Sequence, residues 1–356
     1  MNLLFRQLYD VESGTFTYLL ADEESHAGII IDPVYEQLDR DLALIRELGI
    51  NLSYCVETHC HADHVTAAWL LRNETDCRIA ATAESNIEGL DLVLQHDDGL
   101  DLGNFNLQVL ATPGHTPGCI SLYLADPAMV FTGDCLLIRG CGRTDFQTGS
   151  AAELYHSITS KLFKLEDETI VYPGHDYKGR TMSTIGEERR LNPRIGGDAN
   201  EQDFTGFLDN MQLPHPKKFD TAVPANLKMG QPGTMPIAPS WAPVTVTYAG
   251  ILEVSPQWVA ASLDKVHVLD VRTRVETDEE PARIESAQLI PLNELRDRLE
   301  EVPRDLPVMT LCRSGKRSVM AFDILRKQGW QEVANIKGGL LAWYAEGLPY
   351  ETSGEE

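Results

Sequence analysis

Apolar residues in this chain fall into short runs that stop at glycine, proline or a polar residue, and the spacing within each run predicts the element. Residues 18–20, 28–31, 52–57, 78–81, 105–110, 120–124, 129–131 and 170–172 read as strands. They are short and bounded by turn residues. Residues 35–47, 65–72, 151–164 and 185–191 carry apolar positions at helical spacing. Short strands interleaved with helices predict a layered sheet structure with helices outside.

From residue 192 to 243 the pattern loosens. Prolines 193, 214, 216, 224, 232, 236, 239 and 243 interrupt it, and 204–211 is one short amphipathic helix candidate. The Pro/Gly-rich stretch reads as a linker over 233–244 between a first domain, 1–232, and a second, 245–356. In the second domain, 253–261, 292–300 and 319–328 read as helices, and 266–271, 308–311 and 333–336 as strands. That alternation predicts a small α/β domain with a parallel sheet. The fold class expected for the whole chain is α/β.

Composition changes this picture little. The 356 residues are 43% hydrophobic and 24% charged, enough for two separate cores. No apolar run approaches the ~20 residues of a membrane span. Residues 1–10 lack the basic-then-apolar pattern of a signal peptide. A formal charge of −24 argues against nucleic acid or an anionic membrane as partner. Seven cysteines form no C-x-x-C pair and no disulfide framework. Free thiols in a reducing, cytoplasmic compartment are expected. A homo-oligomer is left open.

Residues of metal-ligand type gather where strands end. The 52–57 run leads into Thr58-His59-Cys60-His61-Ala62-Asp63-His64, and 105–110 into Ala-Thr-Pro-Gly-His115. The 129–131 run leads into Thr-Gly-Asp134, and 170–172 into Pro-Gly-His175. A lone histidine after a strand is more often a satisfied structural residue. Four strand-end sites, one of them a tight cluster, point instead to metal.

His59-x-His61-x-Asp63-His64, His115, Asp134 and His175 resemble the metallo-β-lactamase signature, over about residues 1–230. The resemblance implies an αββα sandwich with metal at one edge of its two sheets. That superfamily includes hydrolases and oxidases, so the fold alone does not name the reaction. Segments 58–64, 112–118 (Thr-Pro-Gly-His-Thr-Pro-Gly), 133–147, 172–179 and 213–227 further resemble persulfide dioxygenases. This implies one Fe(II) per chain on His59, His115 and Asp134. His61, Asp63, His64 and His175 would then surround and hydrogen-bond the site, although dinuclear relatives use them as ligands. The implied reaction oxidises glutathione persulfide with O2 to sulfite and glutathione. Two imidazoles and one carboxylate suit it, because they leave three positions open on octahedral iron. Arg143 and Tyr177 match positions near glutathione, and Lys178 is a further candidate. An arginine suits a glycyl carboxylate by bidentate pairing, and a surface ion pair is its alternative role.

In the second domain a strand leads into Cys312-Arg313-Ser314-Gly315-Lys316-Arg317-Ser318 and then a helix. A cysteine between strand end and helix start sees backbone N–H groups and a positive helix terminus. Arg313, Lys316 and Arg317 add three cations. Both effects favour a thiolate, and then a persulfide anion, as a covalent sulfur carrier. The loop resembles that of rhodaneses, as do Leu269-Asp270-Val271-Arg272…Glu276 and Lys337-Gly338-Gly339…Trp343. Residues 283–287 depart from the rhodanese pattern. Cysteine phosphatases use the longer C-x5-R loop, whereas Cys312 and Arg317 are spaced C-x4-R.

The whole chain thus resembles a bacterial persulfide dioxygenase–rhodanese fusion. Cys312 would move sulfane sulfur between thiosulfate, sulfite and glutathione. One alternative is a dinuclear-zinc thioesterase of the hydroxyacylglutathione hydrolase type, since every ligand it needs is present. Another is a non-enzymatic sulfur relay. Cys60, the 142–147 segment and the rhodanese-like half favour the fusion enzyme.

Overall fold

The computed structural model describes residues 2–211, 214, 216–232, 241–279, 282–284 and 286–352. The chain divides into two compact units, Met1–Gly233 and Thr234–Glu356. Most of the expected linker (233–240), Leu213 and His215 of the 213–227 segment, and Glu285 lie outside the described residues.

The first unit is built on two six-stranded sheets. One runs in order β1 (Leu3–Tyr9), β2 (Phe16–Asp22), β3 (Ala27–Ile31), β4 (Asn51–Val56), β5 (Arg78–Thr82) and β6 (Leu92–Leu94). The other is formed by β7 (Gly99–Leu102), β8 (Phe105–Ala111), β9 (Ile120–Leu124), β10 (Met129–Gly133), β13 (Ile170–Pro173) and β14 (Ser183–Thr184). A small hairpin, β11 (Leu136–Leu137) with β12 (Gly140–Cys141), follows β10.

The period of two along each strand sorts its side chains into layers. Ile29 and Ile31 face the inter-sheet core with Phe131 and Leu122, while Ile30 between them faces the helical side. There it meets Leu44 and Ile45 of α1 (Leu38–Glu47) and Leu71 of α2 (Ala68–Thr75). On the other sheet, Val130 turns away from the core that holds Met129 and Phe131. It joins Leu154 and Ile158 of α3 (Ala151–Ser160), Ile185 of α4 (Ile185–Leu191) and Phe204 of α5 (Glu201–Asp209). Three apolar cores between four layers, two of helices and two of sheet, make the expected αββα sandwich. Helix α6 (Phe219–Asn226) lies in the proline-rich stretch that sequence reading left irregular. Its Asn226 accepts from Thr66 N and donates to the carbonyls of His61 and His64, tying that loop down.

The second unit has a sheet in order β15 (Thr245–Val246), β16 (Leu252–Val254), β21 (Val333–Ile336), β20 (Val308–Leu311), β17 (His267–Asp270) and β19 (Gln288–Leu289). All its pairings are parallel except β15 with β16. A separate antiparallel pair joins β18 (Ala282–Arg283) to β22 (Glu351–Thr352). Helices α7 (Pro256–Ala260), α8 (Arg274–Glu279), α9 (Lys316–Lys327) and α10 (Gly339–Ala345) complete the unit.

Two helix expectations change. The 253–261 segment opens as strand β16, paired with β21, before α7 begins. Ser255 caps α7 by accepting from Trp258 N, and Pro256 takes its first position. Serine followed by proline is the helix-start signal that separates the two elements. The 292–300 segment forms 3₁₀ turns at Leu295–Asp297 and Leu299–Glu301. Ile290 N and Leu292 N donate to the strand β17 end at Asp270 and Val271, so the chain stays against the sheet and its turns tighten. Among the described residues, no helix is long and apolar enough to cross a membrane.

Candidate metal centre and sulfur-transfer site

Strands β8, β10 and β13 run in one direction, since β8 and β10 both pair antiparallel to β9, and β13 pairs parallel to β10. Their ends carry His115, Asp134 and His175 to one edge of the sandwich. The 59–64 loop arrives from β4 in the other sheet, bridged by Ile120 N donating to Thr58 O. Gly133 permits the approach: its φ is +48°, and an added Cβ would come within 2.6 Å of Thr58 Oγ1.

Donor atoms of His59, His115 and Asp134 lie within 4.8 Å of one another. Hydrogen bonds decide which atoms face inward. Thr58 donates its hydroxyl to Asp32 Oδ2 at 2.7 Å and its N–H to Asp32 Oδ1 at 2.7 Å. With that proton committed, Thr58 Oγ1 accepts from His59 Nδ1–H at 2.9 Å. His115 Nδ1–H donates to the Arg143 carbonyl at 2.6 Å. Both imidazoles therefore keep an Nε2 lone pair for a cation. Asp134 Oδ1 accepts from His175 Nδ1 at 2.6 Å, while Oδ2 faces His115 Nε2 at 3.8 Å. Burial holds His59 well below the usual histidine value, so it stays a neutral ligand. Burial alone would raise Asp134, but His175 and its other neighbours outweigh that and keep it ionised.

His61, Asp63, His64 and His175 lie beside these three, and donor atoms of His61, Asp63 and His64 also come within 4.8 Å of one another. His175 Nε2 lies 2.9 Å from Asp63 Oδ2, and His64 Nδ1 lies 3.0 Å from the same oxygen. Against the effect of burial, Asp134 and Asp63 raise His175 well above the ordinary histidine value. His61 turns toward Asp32 (3.1 Å) and Glu57 (3.4 Å), contacts of charge without hydrogen-bond alignment. These carboxylates overcome burial and lift it to about 10.

The centre opens on a cavity of about 640 Å³. Arg143, Tyr177 and Lys178 line it, and so do Arg139 and Arg194. Arg143 is braced: Asp145 takes both arms of its guanidinium at 2.6 Å, and its third nitrogen donates to Pro214 O at 2.7 Å. It also lies over the Phe146 ring. Tyr177 is 71% exposed and stacks on His175. Asp176 accepts from Lys178 N and Arg180 N and so shapes the loop that presents both side chains. The sequence signal for Asp32 existed, since it too follows an apolar strand. Nothing in the sequence marks Thr15, whose hydroxyl touches Asp63, His64 and His175.

In the second unit, Cys312 ends β20 and the helix α9 starts at Lys316, three residues earlier than expected. The loop is therefore tight, and Gly315 turns it with φ +85°. Backbone N–H groups of Ser314, Arg317 and Ser318 address the sulfur, and Ser318 Oγ donates to it at 3.4 Å. Burial opposes ionisation, but these donors win and lower the Cys312 thiol. The contrast is internal. Burial raises the thiols of Cys55, Cys60, Cys77, Cys119, Cys135 and Cys141, with Cys60 and Cys119 reaching about 12. Arg317 is held beside the loop by Glu276, with both bonds at 2.6 Å. Arg313 and Lys316 are exposed at its rim. The Gly338-Gly339 pair packs against the loop, with Leu340 N donating to Cys312 O.

Comparison with known proteins assigns a family to each unit. The metallo-β-lactamase superfamily model matches residues 11–175, and the rhodanese-like domain model matches 255–346. The mitochondrial persulfide dioxygenase ETHE1 of Homo sapiens is 49% identical over 229 residues, covering 64% of this chain and 89% of the relative. The crystal structure of ETHE1 from Myxococcus xanthus, also 49% identical, superposes with a TM-score of 0.62 over 64% of this chain and all of that one. The hydroxyacylglutathione hydrolase GloC of Haemophilus influenzae is 36% identical over 196 residues, 49% of this chain and 90% of the relative. Two imidazoles with free Nε2 lone pairs and one ionised carboxylate oxygen, at the end of an open cavity, fit a metal cofactor. By fold, donor set and similarity, the chain belongs to the persulfide dioxygenase family of the metallo-β-lactamase superfamily and carries a rhodanese-like domain: a sulfur dioxygenase joined to a sulfurtransferase.

Proposed function

We propose that the first unit binds one Fe(II) on His59, His115 and Asp134 and oxidises glutathione persulfide with O2 and water to sulfite and glutathione. The observation that carries this reading is the way the three residues are held. Each imidazole has its Nδ1 proton engaged, and Asp134 has one oxygen engaged, leaving three donors on one side and open space on the other. That is the donor set of ferrous oxygenases. Fe(II) bound there supplies the redox chemistry that lets O2 react with sulfur. The protein's own share is to bring the substrate in and hold it. Arg143, Tyr177 and Lys178 line the cavity that receives the anionic tripeptide, and Phe146, edge-on to His115, covers one side of the centre. A sulfur positioned there reacts as part of one assembly, with the entropy cost met on binding.

In the second unit the Cys312 thiolate attacks the outer sulfur of thiosulfate. The S–S bond breaks and sulfite leaves with its electron pair. A glutathione thiolate then attacks the carried sulfur, forming glutathione persulfide and restoring the Cys312 thiolate. Run in reverse, the same steps take sulfur from glutathione persulfide to sulfite and make thiosulfate. Each unit thus uses a compound that the other produces.

A thioesterase reading draws support from the 36% identity to a hydroxyacylglutathione hydrolase. Anaerobic purification, metal analysis and O2-electrode traces with glutathione persulfide separate the two. About one iron per chain with O2 uptake is expected. Two zinc ions per chain, thioester hydrolysis and no O2 uptake would overturn the dioxygenase reading.

A further inference from the structure

Asp63, His64 and His175 converge on one point beside the metal-ligand triad, and a protein hydroxyl occupies it. Thr15 is fully buried, immediately before β2. Its Oγ1 lies 3.0 Å from His175 Nε2, 3.2 Å from His64 Nδ1 and 3.2 Å from Asp63 Oδ2. Its fourth neighbour, Ser13 Oγ, is 2.7 Å away. Ser13 is anchored in turn: its N–H and its hydroxyl both donate to Asp10 Oδ2, at 2.8 and 2.7 Å. Gln37 secures the other oxygen of Asp10 at 2.8 Å. The Thr15 backbone bridges that of His175, so the hydroxyl has little freedom to withdraw.

The chemistry of the group points the same way. A cation needs lone pairs, but here Asp63 Oδ2 is shared by both histidines and Thr15. His64 directs Nδ1 into the cluster and leaves Nε2 buried without a hydrogen-bond partner. Nε2 is the nitrogen through which His59 and His115 face their own centre. A cation at the group would need His64 reoriented, the three contacts on Asp63 Oδ2 given up, and space near Thr15 Oγ1.

We propose that Thr15 sets the metal count of this centre at one, its anchored hydroxyl holding Asp63, His64 and His175 in a hydrogen-bonded arrangement that shuts out a second cation. Thr15 is a positioning and specificity residue in this role and does not touch substrate. The inference rests on the one-metal reading above.

The test uses the full-length protein, stripped by chelator, reloaded with excess Mn(II) and desalted. Mn(II) prefers carboxylate and imidazole over the seven thiols. Metal content is measured by mass spectrometry, and spin coupling between neighbouring ions by electron paramagnetic resonance. The unaltered chain and Thr15→Ser should each hold about one ion, and Thr15→Ala about two with a spin-coupled signal. Adding His64→Ala to Thr15→Ala should return the count to about one. A Thr15→Ala count that stays at one overturns the proposal and leaves the one-metal reading standing. Uptake of a second ion by Thr15→Ser, or its persistence in the double variant, also overturns it. Two ions in the unaltered chain would instead refute the one-metal reading itself.

Discussion

His175 Nδ1 donates to Asp134 Oδ1 across 2.6 Å, so the last strand-end histidine orients the carboxylate of the proposed metal triad. Outer residues of this kind commonly change metal affinity 10–100-fold, an order of magnitude set by orientation and ligand basicity. His175→Ala should therefore lose metal to a competing chelator about 10–100-fold more readily, while the circular dichroism spectrum stays the same. Equal retention by the variant would show that Asp134 needs no such support.

The two activities should separate at Cys312. Cys312→Ser keeps the loop's shape but removes the nucleophile, so thiosulfate sulfurtransfer should vanish. O2 uptake on supplied glutathione persulfide should remain within about twofold of the unaltered chain. Loss of both activities would contradict independent sites.

Donors around Cys312 lower its thiol, so its thiolate persists to lower pH than that of a free cysteine. Alkylation by a small reagent should occur first at Cys312, at a pH where the other six thiols, raised by burial, are still protonated. Ser318→Ala removes one donor and should move the midpoint of the alkylation rate–pH profile upward. An unmoved midpoint would assign the effect to the backbone amides alone.

Glu276 is held at about 2 by its paired bonds to Arg317, against an ordinary value of 4.5. A carboxylate depressed in the folded state contributes stability that is present above its unfolded value and lost as pH falls through the folded one. Acid should therefore weaken the second unit between about pH 4.5 and 2. Tryptophan fluorescence can follow this, since Trp241, Trp258, Trp330 and Trp343 all belong to that unit. Glu276→Gln should flatten the acid limb and raise the KM for thiosulfate by freeing Arg317. An acid limb of unchanged steepness would locate the sensitivity elsewhere.

Gly339 has φ +61°, and an added Cβ would overlap the Cys312 carbonyl and come within 2.6 Å of Gly315 N. Gly339→Ala combines left-handed strain with backbone overlap, which together cost about 2–4 kcal/mol. Chemical denaturation should show that loss, and sulfurtransfer should fall with it. A variant of native stability would mean the loop shifts freely.

The strand-end grammar of His59, His115, Asp134 and His175, and the Cys312 loop between strand and helix, were legible because local signals carry them. An apolar run, a turn residue and a chemically distinctive side chain are all neighbours in the chain. The 253–261 and 292–300 segments were misread for the complementary reason. Helical spacing such as 292, 295, 299 serves a 3₁₀ turn as well as an α-helix, and pairing with β21 overrode the apparent helix at Glu253 and Val254.

The sequence alone determined the α/β layering, the metal-binding signature and the cysteine loop of the rhodanese-like domain, since periodicity and motif spacing are properties of the chain itself. Tertiary structure decided which nitrogens of His59 and His115 are left free, that Arg143 is braced by Asp145, and that Thr15 stands among Asp63, His64 and His175. Those relations join residues as far apart as Thr15 and His175. They depend on hydrogen-bond direction and on distances within a fraction of an ångström, and only the packed sandwich sets these.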